Sequence, residues 1–532
     1  MKEFSFPYSS GLNKGMRPDK YIPRNSDYLF DAYNVKIGRV GCQPFVPLST
    51  GITSPDPAGY RTPQLFAAKA GLYLGTRNGL YQIDSDLSVG TVIIDTTMEA
   101  IGIDTHWTLA DFGQYQIWSN GLSLWFNNVV TSTTGGTVYA GTFAPDIAIG
   151  EHSAKALPYI RLVADLHGRL FVVADLLIYD PDDPPAITPF LLTSHRTKVM
   201  WSRAGVANSA DLTNMISMLM GDESNFDPLD VVGYGNIAMP WQGTVAMLKA
   251  LGDKMIVYGK QDYYATAIAA DEYPRSRGGV TALAQSISPY PTFGAIPIHD
   301  IGVAAGRPVA GDKNRHIFVD MDGVVWSLSA DLKKERLGYE EYLAPLMTTP
   351  NMFVYVSHDP VNDDYYITIG NNGYSFLLSR DGMSRVFQTT MSIAEATHFP
   401  AGGGAQTRSI QAITKTNGTD LTGFIVTDAL DMGMRGIKTL TGLEIGSSGD
   451  VDLSAAVDYK YISKDAFTTG TYKVVSKSGT VTPMVSGTDF RVRVKASSYI
   501  DFDLDYINMR WKAVDKRLIR GIYEPSSSKT VS

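Results

Sequence analysis

The chain has 532 residues, 44% of them hydrophobic and 11% aromatic, with 50 Gly, 27 Pro and one Cys. That much apolar surface excludes collagen-like and disordered classes, and the length suggests roughly three domains unless one large β architecture absorbs most of it. Forty-six Lys and Arg against 54 Asp and Glu leave a formal charge of −8, which disfavours a surface that tracks nucleic-acid phosphate or anionic lipid, and Cys42 alone permits neither an intrachain disulfide nor a thiolate metal cage.

The opening MKEFSFPYSSGLNKG lacks the apolar run of a signal peptide, and no window approaches the roughly 20 apolar residues of a membrane span. The expectation is synthesis in the cytoplasm without stable membrane insertion. From there the chain is dominated by short β-type runs separated by Gly, Asn and Asp turns. The clearest unit is GLYLGTRNGLYQID at 71–84, where one strand ends at Leu74 and another starts at Leu80 after a turn containing Asn78 and Gly79. Variants recur at 112–127, 167–180, 252–268, 314–329, 364–379 and 421–430. Each reads as the central hairpin of a small antiparallel sheet, too small to bury both faces unless stacked on the next copy. Spacings of roughly 40 to 60 residues match the blades of a β-propeller. The expected fold is mainly β: a propeller of about six blades over 61–440, an N-terminal segment with an entry strand over 1–60, and a C-terminal β module with a tail over 441–532. A sandwich with long loops is the alternative.

A proline-rich start, PDDPPAITP, marks an insertion over 181–235, and ADLTNMISMLM (210–220) within it reads as a short helix with Leu212, Ile216 and Leu219 on one side. TGLEIGSSGD (441–450) reads as a linker. Beyond it, FRVRVKASSYIDFDLDY (490–506) suits a hairpin with a three-residue loop at Ala496, Ser497 and Ser498. That register sets Val494 opposite Ile500, Arg493 opposite Asp501, Val492 opposite Phe502 and Arg491 opposite Asp503, giving an apolar face and an exposed Arg–Asp ladder.

Chemistry is harder to find. The eight histidines, at 106, 152, 167, 195, 299, 316, 358 and 398, form no HExxH or HxH pattern. No phosphate-binding loop, dinucleotide fingerprint or GxSxG elbow occurs. DMDG (320–323) has the start of a calcium loop without its later ligands and reads as a hairpin turn. SRDGMSRVF (379–387) has the flavour of the Asp-box turns of sialidase-type propellers, with imperfect spacing to Phe387. DFDLDY (501–506) places three carboxylates on one strand face, which the Arg ladder explains without a metal. KKER (333–336) and KRLIR (516–520) read as solvated faces or subunit contacts. No catalytic, cofactor-binding or metal-binding residue is singled out, and no cofactor is expected.

Four segments in fixed order resemble a known group, the tail-hub or nozzle proteins of short-tailed bacteriophages, including the packaged-DNA stabilisation proteins. DAYNVKIGRVGCQPF (31–45) resembles their entry motif. Trp201, Ser202, Arg203 and Gly205 resemble a WSxxG element, LGDKMIVYGKQDYYATAI (251–268) resembles the next hairpin, and ISPYPTFGA through GRPVAGDKNRHIFVDMDGVVWSLS (287–329) resembles the following blade with its D-G-x-x-W hairpin. The resemblance implies a non-enzymatic virion protein of the phage tail, assembled in the host cytoplasm as a hexameric ring below the portal and adaptor. Genomic DNA would pass through the ring without tight binding during ejection, and other tail proteins would dock on it. Six subunits at −8 each would carry about −48, which suits a non-adhesive channel. The rival readings are a glycan-active propeller enzyme, depolymerase-like or sialidase-like, and a host-receptor-binding tail protein.

Overall fold

A computed structural model describes residues between 2 and 514; the longer stretches outside the description are 54–63, 96–105, 129–136, 180–189, 206–232, 261–277, 400–408, 413–421 and 515–532, beside shorter ones of at most six residues. The helix expected at 210–220 and the basic run at 516–520 lie outside the described residues. Among those described, no helix is long and apolar enough to cross a membrane. The chain forms two compact units: residues 51–372 with 390–412, and residues 1–50 with 373–389 and 413–532.

The first of these units is a β-propeller of seven small sheets among the described residues. Its repeating element is an antiparallel meander, first seen in Gln64–Ala68, Gly71–Gly75, Gly79–Ile83 and Val89–Asp95. The hairpin read from 71–84 is the middle of this sheet, with Leu74 opposite Tyr81 and Gly75 opposite Leu80. The second sheet starts at Thr108–Asp111, the fourth at Thr244–Leu251 and the fifth at Val309–Gly311. In the third, the long strands His152–Leu166 and Arg169–Tyr179 pair through a turn at His167 and Gly168, so 167–180 is a turn with one strand rather than a whole hairpin. The sixth sheet pairs Val354–Asp359 with Asp364–Ile369 and takes the short parallel strand Gly306–Arg307.

Closure is the one feature local sequence cannot supply. The seventh sheet runs Ser392–Ala394, Thr397–Phe399, Ser409–Ala412 and then Ile52–Thr53, so a strand from before the first sheet completes the last one. A closed ring leaves no sheet face uncovered, which is why blades too small to fold alone are stable together. The apolar stacking is visible between neighbours. Tyr73, Leu80 and Ile94 of the first sheet share one core with Trp107, Trp118 and Trp125. Leu162, Phe171 and Trp201 of the third share another with Val245, Val257 and Phe293 of the fourth.

The other unit contains both ends of the described chain. Lys2–Phe6, Lys438–Ser448 and Cys42–Pro44 all pair with Asp503–Ala513. A second sheet runs Ser375–Ser379, Gly382–Val386, Leu29–Tyr33, Gly423–Thr427, Asp489–Ala496 and Leu453–Lys460. Three sequence expectations change here. The segment 421–430 is not a blade hairpin: Gly423–Thr427 is one strand, held between Leu29–Tyr33 and Asp489–Ala496. The stretch 441–450 is not a linker, because 441–448 continue a strand in which Leu443 and Ile445 are buried, while Gly446 lets the Tyr506 ring lie where a Cβ would be 2.2 Å from it. The hairpin register at 490–506 is also wrong. Arg493 lies opposite Val426 on one side and Ala456 on the other, so both edges of its strand are taken, and Asp503 lies opposite Ser448 in the other sheet. A period-two pattern specifies which face is buried, and any partner of matching alternation satisfies it.

That face is as expected: Phe490, Val492 and Val494 are buried. The arginines between them find partners other than the aspartates of 501–505. Arg493 pairs with Asp458 at 2.9 Å and lies 4.9 Å from the Tyr472 ring centre; Arg491 lies between Phe30, at 3.7 Å, and Phe467, at 4.4 Å. Cys42 is fully buried, and its thiol is pushed up to about 12, by burial first and by Asp503 second, so it behaves as an inert core residue.

Candidate functional site: the central cavity of the propeller

One strand from each of the seven sheets, His152–Leu166 in the third, lines a central cavity of about 730 Å³. Its lining is mixed, with apolar side chains such as Leu65, Trp107, Val163 and Leu248 beside polar and charged ones. His106 precedes the strand Thr108–Asp111 and Arg307 ends the short strand Gly306–Arg307, while Asp111, Asp165, Asp312 and Lys313 stand at or just beyond strand ends.

At the strand ends, two carboxylates from adjacent sheets meet. The Asp111 backbone N–H donates to Asp165 Oδ1 at 3.0 Å, while the Asp111 carboxylate accepts from the N–H groups of Lys69 and Gly113, each at 2.8 Å. Burial, with the nearby Asp111 charge, raises the Asp165 carboxyl above its ordinary value. Two neighbouring carboxylates with unequal proton affinity are what glycan hydrolysis would need. Here, however, both oxygens of Asp111 are occupied in holding turns, which is a structural use. Beside them, Asp312 is burdened by burial, yet the N–H groups of Asn314 and Arg315 hold its carboxyl below the usual range; Lys249 is lowered by burial, with Asp312 opposing the shift.

Between the fourth and fifth sheets, a buried His–Tyr pair links the strands Lys254–Lys260 and Arg315–Val319, each the neighbour of a strand that lines the cavity. The Tyr258 hydroxyl lies 2.8 Å from His316 Nδ1, and His316 Nε2 lies 3.1 Å from the Ala250 carbonyl oxygen. Burial pushes the Tyr258 phenol well up, so it donates to Nδ1 and the imidazole carries its proton on Nε2.

The sequence candidates land elsewhere. DMDG forms the expected turn. Asp320 Oδ1 accepts from the N–H groups of Asp322 and Val324, both at 2.9 Å, Oδ2 accepts from Trp326 Nε1 at 2.7 Å, and His299 Nε2 lies 3.7 Å away. The side chain is 1% exposed with three donors committed to it, so Asp320→Ala is expected to cost about 2–4 kcal/mol. Denaturant midpoints check this, with Asp322→Ala as a control that should stay within about 0.5 kcal/mol. SRDGMSRVF spans a two-residue connection between paired strands, with Ser379 opposite Gly382. In KKER, Lys334 donates to the Ile298 carbonyl and to His299 Nδ1 and covers the Trp326 ring, and Arg336 pairs with Glu340. Among the described residues, no group of three or more His, Cys, Asp or Glu side chains is placed to hold a metal. The cavity set was missed because its members are single residues on strands far apart in sequence; only the recurrence of hairpins hinted that these strands would converge.

Neither any protein-family model nor any curated protein matches the sequence. Solved structures similar to it include a streptogramin B lyase at 9% identity, covering 69% of this chain and 96% of that one with a TM-score of 0.39. The Cps50 β-propeller domain of Myceliophteria thermophila is similar at 10% identity, 69% and 100% coverage and a TM-score of 0.37. BamB from Moraxella catarrhalis is similar at 8% identity, 69% and 99% coverage and a TM-score of 0.34.

Proposed function

We propose that this chain is a structural subunit of a bacteriophage tail nozzle, acting by assembly into a ring rather than by catalysis. The observation that carries this reading is the use made of the entry motif. Asp31 forms a two-point ion pair with Arg385, at 3.0 and 2.5 Å. Asn34, in the left-handed region at φ 53°, accepts from the Phe387 N–H at 2.9 Å and donates to the Thr422 carbonyl, and the Val35 carbonyl accepts from Ser384 Oγ at 2.6 Å. The motif thus ties three chain segments, at 31–35, 384–387 and 422, into one unit. The WSxxG element is used the same way: Ser202 Oγ accepts from the Leu170 N–H, and Arg169 donates to the carbonyls of Ser202 and Gly233. Motif residues committed to architecture support a scaffold, and the occupied oxygens of Asp111 weigh against a carboxylate-pair hydrolase.

In this reading six copies surround a channel through which DNA leaves the virion, and the acidic subunit keeps the wall non-adhesive. Electron microscopy of the purified protein, and labelling of virions with an antibody against it, test the proposal. A six-membered ring with an open channel and label at the tail are expected. A protein that stays monomeric alone and gives no label at the tail would sink it, and glycan cleavage abolished by Asp165→Asn would replace it with the hydrolase.

A further inference from the structure

One rim of the propeller cavity is fastened from sheet to sheet by hydrogen bonds at the strand ends. The Asp111 N–H donates to Asp165 Oδ1 between the second and third sheets, and His167 Nε2 lies 3.2 Å from the Asp253 carbonyl oxygen between the third and fourth. The Gly252 N–H donates to the Lys313 carbonyl at 2.7 Å between the fourth and fifth. Asp165, Lys249, Asp312 and Lys313 all line the cavity along this rim. Lys249 sits three residues before Gly252, on the strand Thr244–Leu251. It is half-buried, and among the described residues its ammonium has neither a hydrogen bond nor an ion pair. The charge that acts on it, Asp312, is already committed: Oδ1 accepts from the N–H groups of Asn314 and Arg315, at 2.8 and 3.0 Å, and Oδ2 accepts from the Asn314 amide at 3.1 Å. His316, whose ring bonds the next carbonyl along the strand, at Ala250, is neutral and offers no counter-charge. A desolvated amine with no counter-ion holds its proton less tightly, as Lys249 does, and the uncharged amine is a nucleophile.

We propose that Lys249 is an imine-forming lysine that takes a small 2-oxo acid, its amine bonding to the keto carbon while the Lys313 ammonium pairs with the carboxylate. The nitrogen bonds to the keto carbon, the carbonyl π pair moves to oxygen, and a proton passes from nitrogen to that oxygen, giving a carbinolamine. A second proton lets the oxygen leave as water while the nitrogen lone pair forms the C=N bond, and the protonated imine then gives a proton back. Asp165 on the adjoining strand end is the group for this exchange, because burial keeps its carboxyl protonated to higher pH than an ordinary aspartate. The sum is amine plus ketone to imine plus water, with nothing oxidised or reduced. A 2-oxo acid fits better than a neutral aldehyde because Lys313 is exposed on the same rim and, among the described residues, has no ion pair of its own. The cavity volume falls within the roughly 300–1,000 Å³ of small-molecule sites. The inference concerns the propeller alone and does not depend on the nozzle reading.

Incubation of the full-length protein with pyruvate and cyanoborohydride at about pH 7, followed by peptide mass spectrometry, tests it, since the reductant fixes each imine as a secondary amine. Modification of Lys249 is expected to exceed that of the exposed Lys313 by about tenfold, and the preference should vanish in urea-unfolded protein. Lys313→Gln is expected to raise the pyruvate concentration for half-maximal labelling of Lys249 about tenfold and to leave labelling by methyl pyruvate, which has no carboxylate charge, unchanged. A thermal melt confirms that this surface variant remains folded. Labelling spread evenly over the lysines, or stronger at Lys313 than at Lys249, overturns the proposal. So does a folded Lys313→Gln variant with an unchanged pyruvate dependence, which would show that the carboxylate is not recognised.

Discussion

Lowering the pH from about 6.5 to about 4 is expected to remove about 3 kcal/mol of propeller stability through His316 alone. The residue is 0% exposed, and burial, followed by the charge of Lys249, holds its imidazole down to about 3. In the unfolded chain the same group titrates near its ordinary value of about 6.5. Between these values the unfolded state binds the extra proton and the folded state does not. The stabilisation is therefore complete above about pH 6.5, falls as the pH drops, and is exhausted near the folded value. Groups packed against the ring act in both directions, with Lys249 opposing protonation and Asp312 favouring it. His316→Gln retains an acceptor for Tyr258 and a donor for Ala250 but cannot titrate. Urea midpoints measured from about pH 4 to 7 should fall more steeply for the native protein than for this variant. Parallel profiles would mean that His316 is protonated in the folded state.

Trp107→Ala is expected to destabilise the propeller by about 3–5 kcal/mol, lowering the melting temperature by roughly 6 °C or more. Trp107 is fully buried, stacks on Trp125 with ring centres 5.4 Å apart, and donates from Nε1 to the Thr76 carbonyl at 2.8 Å. Its ring occupies the space over Gly75, where a Cβ would lie 2.6 Å from it, so the first and second sheets interlock at this point. The substitution leaves a cavity between two blades and strips the Thr76 carbonyl of its donor. Tyr115→Ala, at a residue 41% exposed in the second sheet, is the control and should cost within about 0.5 kcal/mol. A melting temperature within about 2 °C of the native value for Trp107→Ala would show that the two sheets do not depend on this contact.

The hairpin at 71–84 was legible because everything that specifies it is local: alternating apolar residues on either side of an Asn–Gly turn. The same holds for the Asp320 turn, whose donors are two, four and six residues along the chain. Residues 490–506 show where local information stops. Burial of Phe490, Val492 and Val494 followed from alternation, but their partners, near residues 425 and 455, lie tens of residues away in sequence. At 441–450 the Gly and Ser content of a strand was mistaken for a linker, since the reason for small residues, the ring of Tyr506, lies 60 positions further on.

The sequence by itself determined a mainly β chain of repeated small hairpins, because turn chemistry and period-two burial act over a few residues, and it determined a net charge of −8 from composition alone. The tertiary structure decided how many sheets there are, that a strand at Ile52–Thr53 closes the ring against Ser409–Ala412, and which strands receive the ends of the chain. Stacking of blades is a long-range packing problem in which many partners satisfy the same alternation, and only the closed ring selects which side chains converge on its axis.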